Sequence, residues 1–206
     1  KNPDRLLLEN SDNNHGPVGI TLADYARQLG VHHSDAMAEW LINNGIQSTV
    51  QMAPFDLDEE MIVRLIKDPY SVGNINDAPA HGQMLCGAGE NLELITRYWR
   101  ERGAITLEEA IHSMTGKLAR HFNLNDRGEL REGMRADIAV FHLEEIATRK
   151  KKKVYDVPDG DGGFLWRWTR DAAPMRLTLV NGVPTFENGA FTEALPGEML
   201  RPEACA

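Results

Sequence analysis

The stretch Ser71–His81, with the sequence SVGNINDAPAH, decides the predicted fold of this chain. Its first half, Ser71–Ile75, predicts a short strand that begins after the break at Pro69, and Pro79 stops any further pairing. Asp77 follows the end of this strand, and His81 lies in the loop beyond it. In α/β sheets and barrels, side chains just past the C-terminal end of a parallel strand face the ligand. Asp77 is therefore a candidate proton carrier or metal ligand, and an Asx turn that caps the next segment is the alternative.

Length, composition and charge are those of an ordinary globular chain. It has 206 residues, 42% of them hydrophobic and 26% charged, which suffices for one or two domains with a sizeable core. The net charge of −9 argues against a nucleic-acid surface as the main function. No apolar run in the sequence approaches the length of a membrane span. We therefore expect neither nucleic acid nor a membrane as a partner.

The two cysteines, Cys86 and Cys205, lie far apart in the sequence. They form neither a disulfide framework nor a Cys-x-x-Cys pair, which predicts a reducing, cytoplasmic location. The start of the sequence shows no signal-peptide pattern. Its first residue is Lys1 rather than methionine, from which we expect a processed or trimmed start.

The first part of the chain predicts helices that alternate with short strands. Strands are expected near Leu6, at Gln47–Ala53 and at Ser71–Ile75. The last two, joined by a helix, indicate a βαβ unit with parallel strands. Cap residues and apolar spacing predict helices from Thr21 to about Leu29, from Ser34 to Asn43, from Asp56 or Asp58 to Ile66, from Glu90 or Asn91 to Arg102, from Thr106 to Met114, and from about Lys117 to Phe122.

The character of the sequence changes near Leu124. Beyond this residue, turn signals such as Asn181-Gly182 separate short apolar stretches. We therefore expect an α/β segment over residues 1–124 and a small β domain with a tail over residues 125–206. Strands of the second domain are predicted at Ile138–Phe141, Leu177–Val180 and Pro184–Glu187.

Several other patterns are weaker functional candidates. The histidines show no His-x-His and no convincing zinc pattern, so His32 and His33 are expected to face solvent or cap a helix. The segment Asp156–Gly163 hints at a calcium loop but lacks ligands at the fifth and twelfth positions, which favours a mobile loop. Trp166–Arg170 is expected to pack a loop on the core, although it could stack on a sugar or a base. The basic run Arg149–Lys153 predicts a solvated strand edge.

Three stretches together resemble the amidohydrolase superfamily, in particular its N-acyl-D-amino-acid deacylases, the D-aminoacylase-like or type 3 branch. The first resembles the Asp-Ala-Gly-Ala-His with which that branch ends its last barrel strand, and the third resembles the return of the chain into its β-sandwich. Their order and spacing extend the similarity over nearly the whole chain. The stretches are Asn76–His81, Leu107–Ala110 with Met114–Ala119, and Arg127–Phe141 followed by Leu179–Val183.

The resemblance implies an α/β fold made of the C-terminal part of a (β/α)8 TIM-like barrel plus part of a small β-sandwich domain. It also implies a hydrolase that acts on a C–N amide bond of a small molecule and uses one or two zinc ions to activate water. Asp77 matches the family's metal ligand and general acid/base. His81 matches a trailing histidine that contacts substrate or orients Asp77, and Asn76 is expected beside them as a substrate-binding residue.

The chain departs from the family pattern at several points. The family's His-x-His and its mid-barrel metal ligands have no counterpart here, and a whole barrel needs roughly 250 residues. Barrel strands are expected only near Leu6, Thr49 and Val72. The family places an arginine shortly after its aspartate, whereas the first arginine after Asp77 is Arg97. We therefore expect the C-terminal portion of such an enzyme, inactive without its N-terminal half.

Two further hypotheses stay open. A partial barrel exposes strand edges and apolar faces, so the chain could be a non-catalytic structural subunit or a degenerate fragment that assembles with a partner. The N-terminal half of the barrel or another copy, in a homo-oligomer, is the expected partner. The second hypothesis is a carbohydrate- or nucleotide-binding module that uses Trp166 and Trp168.

Overall fold

The computed structural model describes residues 2–52, 58–72, 82–83, 86–87 and 89–201. These residues are of mixed α/β type, in agreement with the predicted class. They divide into two compact units, Lys1–Asp58 and Glu59–Ala206, each with its own apolar core. The domain boundary expected at residue 124 stays a prediction. In the described ranges, helices with the length and hydropathy of a membrane span are absent.

The helices are α1 (Leu22–Leu29), α2 (His33–Asn44), α3 (Glu59–Lys67), a π-helix (Leu94–Glu101), α4 (Leu107–Met114) and α5 (Gly116–His121), with short 3-10 helices at Pro3–Arg5, Glu90–Leu92 and Leu143–Glu145. The strands are β1 (Leu6–Asn10), β2 (Thr49–Met52), β3 (Ile138–Phe141), β4 (Lys152–Pro158), β5 (Phe164–Thr169), β6 (Met175–Val180), β7 (Val183–Glu187) and β8 (Ala190–Phe191).

In the first unit, β1 and β2 pair antiparallel. This differs from the parallel arrangement expected of barrel strands. A single crossover helix returns the chain for a parallel strand, but here both α1 and α2 intervene. Leu8 of β1 and Trp40 of α2, both fully buried, lie at the centre of this unit's core.

Local capping explains the bounds of α1 and α2. Thr21 accepts a hydrogen bond from the backbone N–H of Asp24 at 3.0 Å, and Gly30 ends α1 at a φ of +70°, as the sequence predicts. The cap of α2 is His32 rather than the predicted Ser34. The ring of His32 accepts from the backbone N–H of Ser34 at 3.3 Å, so a histidine takes the place of the expected hydroxyl.

The segment predicted as one α-helix from residue 90 or 91 is a 3-10 turn followed by the π-helix. Wide-turn bonds such as Arg102 N–H to Arg97 O, at 3.0 Å, define the π-helix. The π-helix buries Leu94, Ile95 and Tyr98. Leu94 and Ile95 precede Tyr98 by four and three residues, which is also the spacing of an α-helical face, so the apolar pattern does not distinguish the two windings. The predicted capping box of α4 is confirmed, since Thr106 and Glu109 exchange both bonds.

The strands of the second unit form two antiparallel sheets within the described residues, one in the order β3-β6-β7-β8 and one of β4 and β5. The predicted strands at 138–141, 177–180 and 184–187 fall in the first sheet. Asn181 and Gly182 turn β6 into β7 with φ values of +51° and +79°, which suits a tight hairpin.

The segment Asp156–Gly163, predicted as a mobile loop, belongs to a hairpin in which β4 runs to Pro158 and β5 begins at Phe164. Its turn is held by Asp159, whose Oδ1 accepts from the backbone N–H groups of Asp161 at 2.8 Å and Gly163 at 2.9 Å. The acidic residue therefore serves the turn, as an Asx side chain commonly does. The same hairpin shows that the segment from Trp166 is a strand rather than a loop.

Candidate functional site

The predicted site residues Asn76, Asp77 and His81 lie outside the described residues. The structure describes the chain up to Val72 and again from Gly82. The placement of the three side chains therefore stays a prediction, and the flanking contacts are what the structure adds.

On the upstream side, the chain leaves α3 through a tight turn. Asp68 accepts a hydrogen bond at Oδ1 from the backbone N–H of Tyr70 at 2.8 Å. Its carbonyl accepts from the backbone N–H of Ser71 at 3.3 Å. This turn fixes the backbone as far as Ser71, the first residue of the predicted site stretch.

On the downstream side, β5 holds the chain immediately after His81. The backbone N–H of Trp168 donates to the carbonyl of Gly82 at 2.7 Å. A Cβ at Gly82 would lie 3.0 Å from Cβ of Arg167, closer than side chains normally approach, so the absence of a side chain allows this contact. The first described residue after the predicted site is thus attached to the β4–β5 hairpin.

Arg170, the residue directly after β5, makes a second attachment. Its guanidinium donates from Nη1 to the carbonyl of Cys86 at 2.5 Å and lies 3.9 Å from a carboxylate oxygen of Glu90. The side chain is 16% exposed, so this contact is partly shielded from solvent, where a charge-assisted hydrogen bond is stronger. Together, Gly82 and Cys86 fix two points of the segment that follows the predicted site.

The hairpin is itself reinforced by an ion pair between its strands. Arg167 donates from Nε and Nη2 to the two carboxylate oxygens of Asp156, both at 2.7 Å. The hydrogen bond from Arg167 lowers the pKa of Asp156, and the reciprocal bond raises the pKa of Arg167. Asp156 therefore acts as the partner of an arginine.

Arg97, the first arginine after Asp77, is engaged inside the second unit. Its guanidinium donates to Glu59, lies 3.9 Å from Glu93, and shares Glu59 with Arg102 at 3.3 Å. Burial, followed by the charge of Glu59, raises the pKa of the neighbouring Tyr98. With carboxylates on two sides, Arg97 is placed to hold α3 against the π-helix rather than to receive a substrate carboxylate.

Metal-ligand chemistry is sparse in the described ranges. Three or more His, Cys, Asp or Glu side chains placed to hold one ion do not occur there. His32 caps α2, and His112 accepts a hydrogen bond from Arg120. The described residues alone therefore do not fit a zinc ion, and a site built on Asp77 needs ligands from beyond them.

The stretch from Arg127 that resembles the family forms a structural corner. Arg127 pairs with Asp126 at 3.0 Å and with Asp137 at 2.6 Å, and Asp137 accepts from the backbone N–H of Asn181 at 2.7 Å. The hydrogen bond from Arg127 lowers the pKa of Asp126. These bonds join the turn after α5 to the hairpin of β6 and β7, so this part of the motif serves the fold.

The tryptophans of β5 are already covered by cations. Nζ of Lys153 lies 4.2 Å from the ring centre of Trp166, and Nζ of Lys151 lies 4.9 Å from that of Trp168. The two rings also meet edge to face, with centres 5.8 Å apart. A stacked sugar or base would have to displace these cation–π contacts, which weakens the binding-module hypothesis.

A sequence profile described as the amidohydrolase family matches residues 28–186. The chain belongs to the amidohydrolase family. It falls in the D-aminoacylase-like branch, as the resemblance of the three stretches predicts. Two similar proteins of Alcaligenes xylosoxydans xylosoxydans carry the names N-acyl-D-glutamate deacylase, 32% identical over 154 residues, and D-aminoacylase, 33% identical over 150 residues.

The amidohydrolase match concerns only part of these relatives. The first alignment covers 73% of this chain and 28% of the relative, and the second covers 71% and 28%. Among solved structures, an N-acyl-D-glutamate deacylase from Bordetella bronchiseptica, complexed with zinc and a phosphonate inhibitor, is 27% identical. That comparison covers 97% of this chain and 36% of the other, with a TM-score of 0.46.

The contacts of Trp168 with Gly82 and of Arg170 with Cys86 are the main feature that sequence reasoning missed. They join residues more than eighty positions apart in the chain, and one of them is a backbone bond that no side-chain pattern encodes. A glycine directly after His81 is the single local signal, and a glycine by itself does not say which strand approaches it.

Proposed function

We propose that this chain supplies the C-terminal portion of a metal-dependent amidohydrolase that hydrolyses the C–N amide bond of an N-acyl amino acid. The observation that carries the proposal is the family match over residues 28–186, which spans the predicted site stretch. The names of the two similar deacylases support the substrate class. We place the protein in the cytoplasm, since its cysteines lie too far apart to suggest a disulfide framework.

In this proposal Asp77 has two roles. It binds the metal, and its carboxylate accepts a proton from the attacking water and later delivers it to the leaving amine. A zinc ion, if held by Asp77 together with ligands from beyond the described residues, would lower the pKa of a water molecule to about 7. His81 contacts the substrate or orients Asp77, and Asn76 contacts the substrate.

The β4–β5 hairpin supports these roles indirectly. Because Gly82 is bonded to Trp168 of β5 and Cys86 to Arg170 just after it, these two residues after His81 have defined positions. A catalytic group must be held close to its productive geometry, since small misplacements carry large rate penalties. Residues of the hairpin are therefore positioning residues in this proposal.

The proposal is tested with the chain joined to its N-terminal complement in one complete enzyme. We expect hydrolysis of N-acyl-D-amino acids that is lost on chelation and restored by zinc. The 206-residue chain alone is expected neither to retain zinc at stoichiometry nor to hydrolyse amides. Zinc retained by the chain alone, or turnover that survives complete chelation, would contradict the proposal.

A non-catalytic subunit is the second candidate, and a specific observation favours association in either case. On α2, Ile42 is 81% exposed, and Ile46, just past its end, is 95% exposed. Apolar side chains as exposed as these suit a surface that a partner covers. A complete assembly that contains metal yet shows no amide hydrolysis across N-acyl-amino acids would favour this second role.

A further inference from the structure

The second unit contains a cationic pocket that the proposed hydrolysis does not use. It lies between the C-terminal end of α3 and the helices α4 and α5, with a cavity volume of about 570 Å³. Such a volume falls within the range of small-molecule sites, about 300–1,000 Å³. The charged side chains that line it are Lys67, Lys117, Arg120 and Glu109.

Lys117 is the most enclosed of the three cations. It is half-buried on α5, and its Nζ donates to the carbonyl of Ile66 at 3.0 Å. An ammonium group has three N–H donors, so this one bond leaves it able to donate to a ligand as well. The bond also fixes the ammonium beside the end of α3, at the pocket wall.

Arg120 presents a guanidinium to the same pocket. It donates from Nη2 to Nε2 of His112 at 2.5 Å. A guanidinium only donates, so Nε2 of His112 is the acceptor in this bond. The remaining donors of Arg120 form a planar fork that suits an oxyanion.

The charges in this pocket are unbalanced. Among the described residues, one cation of the lining forms an ion pair: Nζ of Lys67 lies 3.7 Å from Oε2 of Glu109. Lys117 and Arg120 thus leave two positive charges without a carboxylate partner in the described structure, in a chain whose net charge is −9. Two positive charges that line one pocket favour an anion there, and an ion of charge −2 would balance them.

Part of the pocket lining beside these cations is apolar or aromatic. Ile66, Pro69 and Tyr70 form this part, and Tyr70 is 90% exposed and therefore open to contact from solvent. An inorganic ion would leave this part uncovered, whereas an organic body attached to the anion would cover it. We propose that this pocket binds a small organic dianion, a phosphate monoester or a dicarboxylate, with its negative charges at Lys117 and Arg120.

A purely structural role for the cations is the competing explanation. Lys67 lies in the last turn of α3 and Arg120 in the last turn of α5, where positive charge is favoured by the helix dipole. That role predicts a loss of stability in variants but no saturable binding of dianions. The two explanations therefore differ in a direct binding measurement.

The test is isothermal titration of the purified 206-residue chain at low salt with phenyl phosphate and with succinate, each against acetate as a monoanion. We expect saturable binding of at least one dianion that weakens as salt is raised. Binding of phenyl phosphate alone identifies a phosphate ester, binding of succinate alone identifies a dicarboxylate, and equal binding identifies the shared charge as the determinant. Saturation by neither dianion would overturn the proposal.

Variants then locate the site. Lys117→Met and Arg120→Gln should each weaken dianion binding by about tenfold or more, because each removes a charge-assisted hydrogen bond to the ligand. Arg64→Gln is the matched control, because Arg64 is an exposed cation in the last turn of α3 that does not line the pocket. Thermal melts by circular dichroism show that each variant is folded. Equal weakening by Arg64→Gln would mean that the anion binds elsewhere.

Discussion

The substitution Gly128→Ala tests how closely the turn after α5 packs on that helix. Gly128 has a φ of +85°, a backbone conformation that disfavours any side chain. A Cβ built there would lie 2.6 Å from Cβ of Ala119 and 3.2 Å from the carbonyl oxygen of Thr115. The change therefore combines backbone strain with a steric clash.

Each part of this cost has a known size. Left-handed backbone costs a residue with a Cβ about 1–2 kcal/mol, and an overpacked contact costs about 1–3 kcal/mol more. We expect Gly128→Ala to lower the free energy of unfolding by about 2–5 kcal/mol. In a protein of this size that corresponds to a fall in Tm of about 5–20 °C. Urea unfolding followed by circular dichroism measures it.

Gly133→Ala is the matched control for the backbone strain. Gly133 has a φ of +84°, but a Cβ there meets open space. It should cost only the backbone part, about 1–2 kcal/mol. Adding Ala119→Gly should recover stability in Gly128→Ala, although it destabilises the parent helix by about 1 kcal/mol. If Gly128→Ala lowers the free energy of unfolding no more than Gly133→Ala does, the turn does not approach α5 as closely as described.

Three further predictions follow from the described contacts. Asp126→Asn should lower stability at neutral pH, and its deficit should shrink below about pH 4. The reason is that the hydrogen bond from Arg127 lowers the pKa of Asp126. The extra stability of the parent protein is therefore lost as the pH falls through that lowered pKa. Urea unfolding midpoints measured over a series of pH values check this. Trp40→Phe should cost about 2–4 kcal/mol, because it opens a void in the first unit and leaves the carbonyl of Pro17 without its 2.8 Å donor; unchanged thermal unfolding would contradict it. Gly82→Ala should push the backbone at residue 82 away from Arg167. We expect slower turnover of the complete enzyme with little loss of global stability. A wild-type rate would show that the contact of Gly82 with β5 does not position the site.

The sequence was sufficient where local chemistry decides the structure. The capping box of Thr106 and Glu109 places α4, and Gly30 ends α1 where expected. The hairpin turn at Asn181 and Gly182 was likewise predicted, since these residue types tolerate positive φ. The family assignment rests on side-chain patterns of the same local kind.

Elements that depend on distant partners were not predicted. The π-helix was not predicted, because the spacing of its buried residues Leu94, Ile95 and Tyr98 is also that of a regular helix face. The antiparallel pairing of β1 with β2 depends on two helices between them rather than one. The β4–β5 hairpin was missed because its turn is built by Asp159 rather than by a two-residue glycine turn.

The most direct measurement of the central claim is kcat of the complete enzyme carrying Asp77→Asn, beside Asp35→Asn as an exposed aspartate control. A general acid/base that also binds the metal predicts a loss in kcat of about 10²–10⁴-fold or more for Asp77→Asn, with an unchanged melting curve. The control should keep the parent rate. Undiminished turnover by Asp77→Asn would remove this residue from the mechanism and with it the proposed role of the chain.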